Sequence, residues 1–139
     1  MQEAKQMRSM NAQEGFTLLE IMVVLVIIGV LAALVAPRFL ERADEAKVEA
    51  SKVQMQNIGQ ALKLYRLQHG KYPSSGEGLQ VLASGSGGKR YLDSIPKDPW
   101  GNDYVYLSPG VHGDFDMLSY GVDGRAGGAG MDADIGNWQ

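Results

Sequence analysis

The carboxylates near the C-terminus are the side chains best placed to do chemistry. Asp123 precedes the glycine-rich residues 124–130, and Asp132 and Asp134 follow them. Glycine lets a loop turn its backbone carbonyls inward, and Ca²⁺ takes about six to eight oxygen ligands from carboxylates, hydroxyls and carbonyls. One calcium ion could therefore close this loop. The simpler alternative is a solvated loop whose aspartates only keep the surface soluble.

Glu20 is the second ionisable group whose position needs an explanation, because it lies inside the apolar residues 16–36. A carboxylate within a membrane helix costs about 2.5–3.5 kcal/mol and usually has a partner. If the chain were cut between Gly15 and Phe16, the new α-amino group would lie one helical turn from Glu20. That amine on one copy could then neutralise Glu20 on another. Alternatively, Glu20 lies at the membrane surface and faces lipid headgroups.

The element that carries Glu20 is long enough to cross a membrane. Residues 16–36 are 21 residues, which at about 1.5 Å each reach roughly 30 Å, the thickness of the hydrocarbon core. A cleaved secretory signal has a shorter apolar region of about 7–15 residues, followed by a small-residue cleavage site. The polar leader, residues 1–15, ends in a small residue directly before the apolar run, so a protease that cut between Gly15 and Phe16 would leave residues 16–36 on the mature chain as a transmembrane helix.

The junction between leader and helix resembles the processing signal of type IV pilins and related pseudopilins, in the stretch Gly15-Phe16-Thr17-Leu18-Leu19-Glu20. In that superfamily a prepilin peptidase cuts after the glycine and methylates the new N-terminus. The resemblance implies cleavage between Gly15 and Phe16, N-methylation of Phe16, and a filament subunit stored in the inner membrane. It also assigns a contact between subunits to Glu20.

Beyond the apolar run, the pattern predicts that the helix continues to about His69, with a kink or local melting at Pro37. Gly70 and Pro73 then supply the stop. Apolar residues at spacings of mostly three or four predict a stripe that packs on a domain. The stripe comprises Leu40, Ala43, Ala46, Ala50, Val53, Ile58, Ala61, Leu62 and Tyr65.

The rest of the chain predicts a small α+β domain, residues 37–139. The spacing of Ser74 and Glu77 is that of a capping box ahead of a short helix. Strand-forming residues bounded by turn residues predict a small antiparallel sheet that packs against the long helix. Its predicted strands are residues 104–107, 115–120 and 135–138.

Composition excludes several classes of protein. The chain has no cysteine, so it contains neither a disulfide nor a thiolate metal site. Residues 91–139 carry eight aspartates against one lysine and one arginine, a net charge of −6, which is the opposite of the basic face expected for nucleic-acid binding. His69 and His112 lie near no nucleophile motif, so no catalysis is expected. Asp114 and Asp116 are predicted to be surface residues.

Further stretches resemble the major pseudopilins of the type II secretion system, and with the N-terminal signal they cover nearly the whole chain from Gly15 onward. They are residues 72–73, 78–82, 98–104, 118–124 and 132–138. The resemblance implies the type IV pilin-like fold, a long N-terminal helix packed on a small antiparallel sheet, with a calcium-bound C-terminal loop. The calcium ligands that it implies are Asp123 and the pair Asp132 and Asp134, with Leu118, Ser119 and Val122 as further donors.

The function that this resemblance implies is structural. Subunits would wait in the inner membrane with the C-terminal domain in the periplasm, then polymerise into a pseudopilus that drives folded proteins across the outer membrane. The implied partners are further copies of the chain, minor pseudopilins, the prepilin peptidase, the inner-membrane assembly platform and membrane lipid. Two alternatives remain open: a type IV pilin for adhesion or motility, and a membrane-anchored periplasmic enzyme or binding module.

Overall fold

The computed structural model describes residues 15–139, so the predicted leader lies outside the described residues except for Gly15. Its elements are α1 (Leu18–His69), α2 (Val81–Ser84), β1 (Val105–Leu107), β2 (Asp116–Ser119) and β3 (Ile135–Gly136). Short 3-10 turns lie at Ser86–Gly88 and Gly130–Asp132. The chain divides into two compact units, one that ends at Phe39 and one that comprises Leu40–Gln139.

The first part of α1 is apolar and exposed on every face. Leu25, for example, is 62% exposed and Leu31 is 57% exposed. An 18-residue window of this helix has a mean hydropathy of 3.1, and none of the window is buried. By length and composition, α1 can therefore cross a membrane. A helix that is apolar all round needs lipid or other helices as its surroundings.

α1 includes Pro37 and ends where the sequence predicts. The residues on both sides of Pro37 are helical, so the local melting predicted at this residue is not seen in the described chain. Proline removes only one hydrogen bond from the ladder, and the bonds of the neighbouring residues maintain the helix. The end of α1 is set by Gly70, which takes a left-handed φ of 77° and donates its N–H to the carbonyl of Arg66 at 2.7 Å.

The buried stripe of α1 begins later than the sequence predicts. The buried residues are Ser51, Met55, Ile58, Gly59, Ala61, Leu62 and Tyr65. The prediction is therefore confirmed from Ile58 to Tyr65, and it is wrong for Leu40, Ala43, Ala46, Ala50 and Val53, which are exposed. Periodicity shows which face of a helix is apolar, but it does not show how far the packing partner extends. Here the small domain covers α1 mainly from Ser51 onward.

The strands form one antiparallel sheet in the order β1-β2-β3. Tyr106 pairs with Met117, and Ser119 pairs with Ile135. The predicted strands are confirmed in order and direction, although each is shorter than predicted. Met117 and Ile135 join the α1 stripe in one buried core, where a side chain of this size contributes about 1.5–3 kcal/mol.

The capping box predicted at Ser74 forms, but it closes a turn and does not start a helix. Ser74 N–H donates to Glu77 Oε2 at 2.8 Å, and Glu77 N–H donates to Ser74 Oγ at 3.3 Å. Gly78 follows with a left-handed φ of 66°, which a right-handed helix cannot continue through. α2 consequently begins only at Val81.

The surface prediction is confirmed for Asp114 and wrong for Asp116. The Asp114 side chain is 68% exposed and pairs with Arg66 at 3.1 Å. Asp116 is only 2% exposed, because the preceding loop folds back over it. Asp116 accepts the N–H groups of Val111 at 2.8 Å and His112 at 3.1 Å, and the His112 ring Nδ1 lies 2.9 Å from its Oδ2.

These contacts determine how Asp116 titrates. Burial alone would raise the pKa of Asp116, but the His112 ring and the two backbone N–H groups favour the ionised form and hold this pKa below its ordinary value. A carboxyl with a depressed pKa contributes stability that is present above its unfolded pKa, about 3.9. That contribution is lost as the pH falls through the folded pKa.

We expect Asp116→Asn to lower the melting temperature at neutral pH, and the gap to wild type to narrow as the pH falls below about 4. Only the wild type loses the stability contributed by ionised Asp116 on acidification, because the variant has no carboxylate at this position. Thermal unfolding of the full chain in detergent micelles, followed by near-ultraviolet circular dichroism, measures this gap. Asp114→Asn is the control, since that exposed carboxylate should give a small gap at every pH. A gap for Asp116→Asn that is equal at neutral and acid pH contradicts the prediction.

Candidate functional site

The residues predicted for processing are accessible and lie at the start of α1. Gly15, Phe16 and Glu20 are exposed, and Phe16 is 85% exposed. The backbone from Gly15 to Thr17 is non-helical, and α1 begins at the next residue. The peptide bond between Gly15 and Phe16 therefore lies outside the hydrogen-bonded helix, where a peptidase can reach it.

Glu20 forms a capping box with Thr17. Thr17 N–H donates to Glu20 Oε2 at 3.2 Å, and Glu20 N–H donates to Thr17 Oγ1 at 3.1 Å. These bonds satisfy two backbone donors that the first turn of α1 leaves without intrahelical partners. They also hold the carboxylate at the positive end of the helix dipole. The sequence did not lead us to predict that Thr17 caps α1, although a threonine three residues before a glutamate is the pattern of a capping box.

The C-terminal aspartates lie on a loop that folds back on itself. Asp123 Oδ1 accepts the N–H of Arg125 at 3.0 Å, and Asp134 Oδ2 accepts the N–H of Gly127 at 2.9 Å. The second bond reaches across the loop and joins its glycine-rich part to its far end. Asp123 and Asp132 are exposed, whereas Asp134 is partly buried.

The structure does not gather these three carboxylates at one point. Within residues 15–139, no group of three or more histidine, cysteine, aspartate or glutamate side chains lies close enough together to hold a metal ion. One oxygen in the loop does lack a partner: Asp134 Oδ1 is buried and accepts no hydrogen bond. A buried carboxylate oxygen without a partner is costly, and a bound cation would remove this cost.

Backbone carbonyls converge on the same loop. A Cβ atom at Gly121 would lie 3.0 Å from the carbonyl oxygens of both Met131 and Ala133. Gly128 has a φ of 95°, and a Cβ atom there would collide with the carbonyl of Asp132. Glycine is therefore required at both positions. The loop offers a buried carboxylate oxygen without a partner and several carbonyls, which are the kinds of oxygen ligand that Ca²⁺ takes.

The further donors predicted from the resemblance lie where β2 meets the loop. Leu118 and Ser119 are the last residues of β2, and Val122 lies in the loop that follows. Ser119 is fully buried, and its hydroxyl donates to Asp98 Oδ2 at 2.6 Å and accepts the N–H of Gly121 at 3.2 Å. This hydroxyl is engaged within the protein, so the backbone carbonyl is the oxygen that Ser119 could offer to a metal.

Comparison with known proteins places these features in a family. The family model described as type II secretion system protein G matches residues 38–138, and the prokaryotic N-terminal methylation motif matches residues 10–36. The type II secretion system core protein G of Pseudomonas aeruginosa is 49% identical in an alignment of 135 positions that covers 91% of this chain and 95% of the relative. That of Vibrio cholerae is 46% identical in an alignment of 145 positions, with 95% and 96% of the two chains covered.

A solved structure shares the fold. The crystal structure of the major pseudopilin from the type 2 secretion system of enterohaemorrhagic Escherichia coli matches with a TM-score of 0.60 and 32% sequence identity. The match covers 71% of this chain and 92% of that chain. The long helix and the small antiparallel sheet are therefore those of a pseudopilin, and the chain belongs to the type II secretion system protein G family, the major pseudopilins.

Proposed function

We propose that this protein is the repeating subunit of a periplasmic pseudopilus, whose growth drives folded proteins across the outer membrane. The proposal rests on two features that occur together in one chain. An apolar helix exposed on every face precedes a domain of the protein G family. The relatives are named as core proteins of this secretion system, which favours a pseudopilus over an adhesion or motility pilus.

The apolar part of α1 has two successive environments in this proposal. A soluble monomer rarely exposes an apolar patch larger than a few hundred Å², and here every face of an 18-residue window is uncovered. In the stored subunit, inner-membrane lipid covers these faces and the C-terminal domain lies in the periplasm. In the filament, the same faces pack on the helices of neighbouring copies. Polymerisation thus exchanges lipid contacts for contacts between subunits.

Processing prepares the subunit for this exchange. A prepilin peptidase removes the leader by cutting between Gly15 and Phe16 and methylates the Phe16 amine, in keeping with the matched methylation motif. The new cation lies next to the capping box of Thr17 and Glu20. Because a carboxylate can accept hydrogen bonds from several donors, Glu20 can keep its bond to Thr17 while it receives the amine of a neighbouring copy.

The remaining steps belong to other proteins. The inner-membrane assembly platform adds subunits, minor pseudopilins cap the tip of the filament, and a cytoplasmic ATPase supplies the work. The chain itself has a structural part, as its family does, and we assign it no reaction.

We further propose that one Ca²⁺ ion closes the C-terminal loop. The buried and unpartnered Oδ1 of Asp134 supports this assignment, as do the inward backbone carbonyls beside Gly121. Asp123 and Asp132 are not gathered with Asp134 in the structure, so they would have to approach it when the ion binds to complete the carboxylate set, with carbonyls of Leu118, Ser119 and Val122 as further donors. The ion would supply the cross-link between the two ends of the loop, which a chain without cysteine cannot obtain from a disulfide.

We expect Glu20→Ala and Glu20→Gln to insert into the membrane and to be processed, but to form at least about tenfold fewer filaments than wild type. Removing one partner of a buried ion pair costs about 3–5 kcal/mol. The amount of sheared filament, measured beside secretion in a strain that lacks the native chain, reports the effect. The glutamine variant is the discriminating one, because it keeps the capping geometry and loses only the charge. Wild-type filament yield from Glu20→Gln contradicts pairing with the amine.

We also expect calcium, and not magnesium, to raise the melting temperature of the full chain in detergent micelles. An ion that binds only the folded state stabilises it, by about 2.7 kcal/mol at a hundred times the dissociation constant. Asp134→Asn should remove most of the rise, whereas Asp93→Asn, an exposed carboxylate outside the loop, should keep it. An equal melting temperature with calcium and with chelator would mean that the loop is only solvated.

A further inference from the structure

Asp98 is a buried carboxylate without a cationic partner. It is 4% exposed, and the ion pairs within residues 15–139 do not include it. Its Oδ1 accepts the N–H groups of Trp100 at 3.1 Å and Asn102 at 2.8 Å, and its Oδ2 accepts the Ser119 hydroxyl at 2.6 Å. Buried charges are normally paired with an opposite charge or bound to a metal. Three neutral donors hold Asp98 in place but leave its charge without a counter-charge.

The hydrogen bonds of Asp98 lead directly to the C-terminal loop. Ser119 ends β2, and its hydroxyl, fixed by Asp98, accepts the N–H of Gly121 at 3.2 Å. Gly121 is the residue beside which the carbonyls of Met131 and Ala133 converge. One side chain, Ser119, therefore joins the buried carboxylate to the backbone at the entrance of the loop.

A second contact joins the same two regions. The turn that Asp98 closes ends at Asn102, whose N–H it accepts. The Asn102 side chain lies 3.3 Å from the position of a Cβ atom at Gly124, the residue after Asp123. The turn over residues 98–102 thus contacts the loop at its entrance and again beside the first predicted carboxylate ligand.

We propose that Asp98 is a positioning residue for the calcium loop, which orients Ser119 and Gly121 and whose negative charge is balanced by the bound ion. The proposal rests on the calcium site put forward above. Groups that orient metal ligands from outside the coordination sphere commonly change metal affinity by about 10–100-fold when they are mutated. A buried negative charge next to the loop also attracts a cation through a medium that screens it less than water does.

Asp116 provides a matched comparison. It is also a buried carboxylate, 2% exposed, and it begins the strand β2 that Ser119 ends. Asp116 has the ring nitrogen of His112 2.9 Å from its Oδ2 and holds the loop before the strand, not the loop after it. A general effect of losing a buried carboxylate from this sheet would therefore appear in both aspartates, whereas an effect on the calcium loop should appear only in Asp98.

The test is calorimetric titration of calcium into the full chain in detergent micelles, after removal of metal with chelator. We expect Asp98→Asn to weaken calcium binding by about 10–100-fold. The amide is nearly the same shape, keeps an oxygen for the Trp100 and Asn102 N–H groups, and removes the charge. Ser119→Ala should also weaken binding, because it cuts the link to Gly121 and leaves the backbone carbonyl in place. Asp116→Asn should bind calcium with the wild-type dissociation constant.

The outcomes separate this proposal from the calcium site itself. If the wild type binds no calcium, the calcium-closed loop and the proposal both fail. If the wild type binds calcium and Asp98→Asn binds it equally well, the calcium site in the loop stands, but the proposed positioning role of Asp98 is overturned. Equal weakening by Asp98→Asn and Asp116→Asn would also overturn it, since the effect would then belong to the sheet as a whole. A melting curve for each variant with chelator shows that the protein under titration is folded.

Discussion

One helix, α1, passes through two different surroundings, and the rest of the structure is arranged around this fact. Along the first part of α1 every face is apolar and uncovered, so lipid or other copies must surround it. From Ser51 onward one face is buried in the domain and the others meet water. The buried stripe therefore starts well after the apolar run ends. Between them lies a mostly exposed stretch of alanine and charged residues. In the single chain this stretch lies outside the apolar run and is largely uncovered by the domain.

The domain at the end of this helix has a short sheet, and buried polar groups hold the loops around it. β2 shows the arrangement most clearly, because a buried carboxylate is bound at each of its ends. Asp116 secures the loop before the strand through the His112 ring and two backbone N–H groups. Asp98 secures the exit of the strand through Ser119. A disulfide is impossible in this chain, so charge and hydrogen bonds fix the loops.

Much of this architecture could be predicted from the sequence, because its signals are local. The membrane-length run, the helix stop at Gly70 and the three strands each follow from neighbouring residues, and the structure confirms them. The burial of Asp116 was not predictable, because it depends on the path of the loop just before it. The exposure of Val53 was not predictable either, because it depends on how far a distant segment reaches. Asp98 was missed for the same reason: its partner Ser119 is 21 residues away, and no spacing rule connects the two.

In the proposed function, the apolar part of α1 leaves lipid and packs on other copies of the same chain. A photo-reactive benzophenone side chain in place of Leu31, which is 57% exposed, tests this claim in cells that contain the complete secretion system. We expect cross-links between copies of the chain, and their loss in cells without the prepilin peptidase, where subunits stay in the membrane. Assembled filaments that gave no cross-link between copies at this position would show that α1 does not pack on its neighbours there.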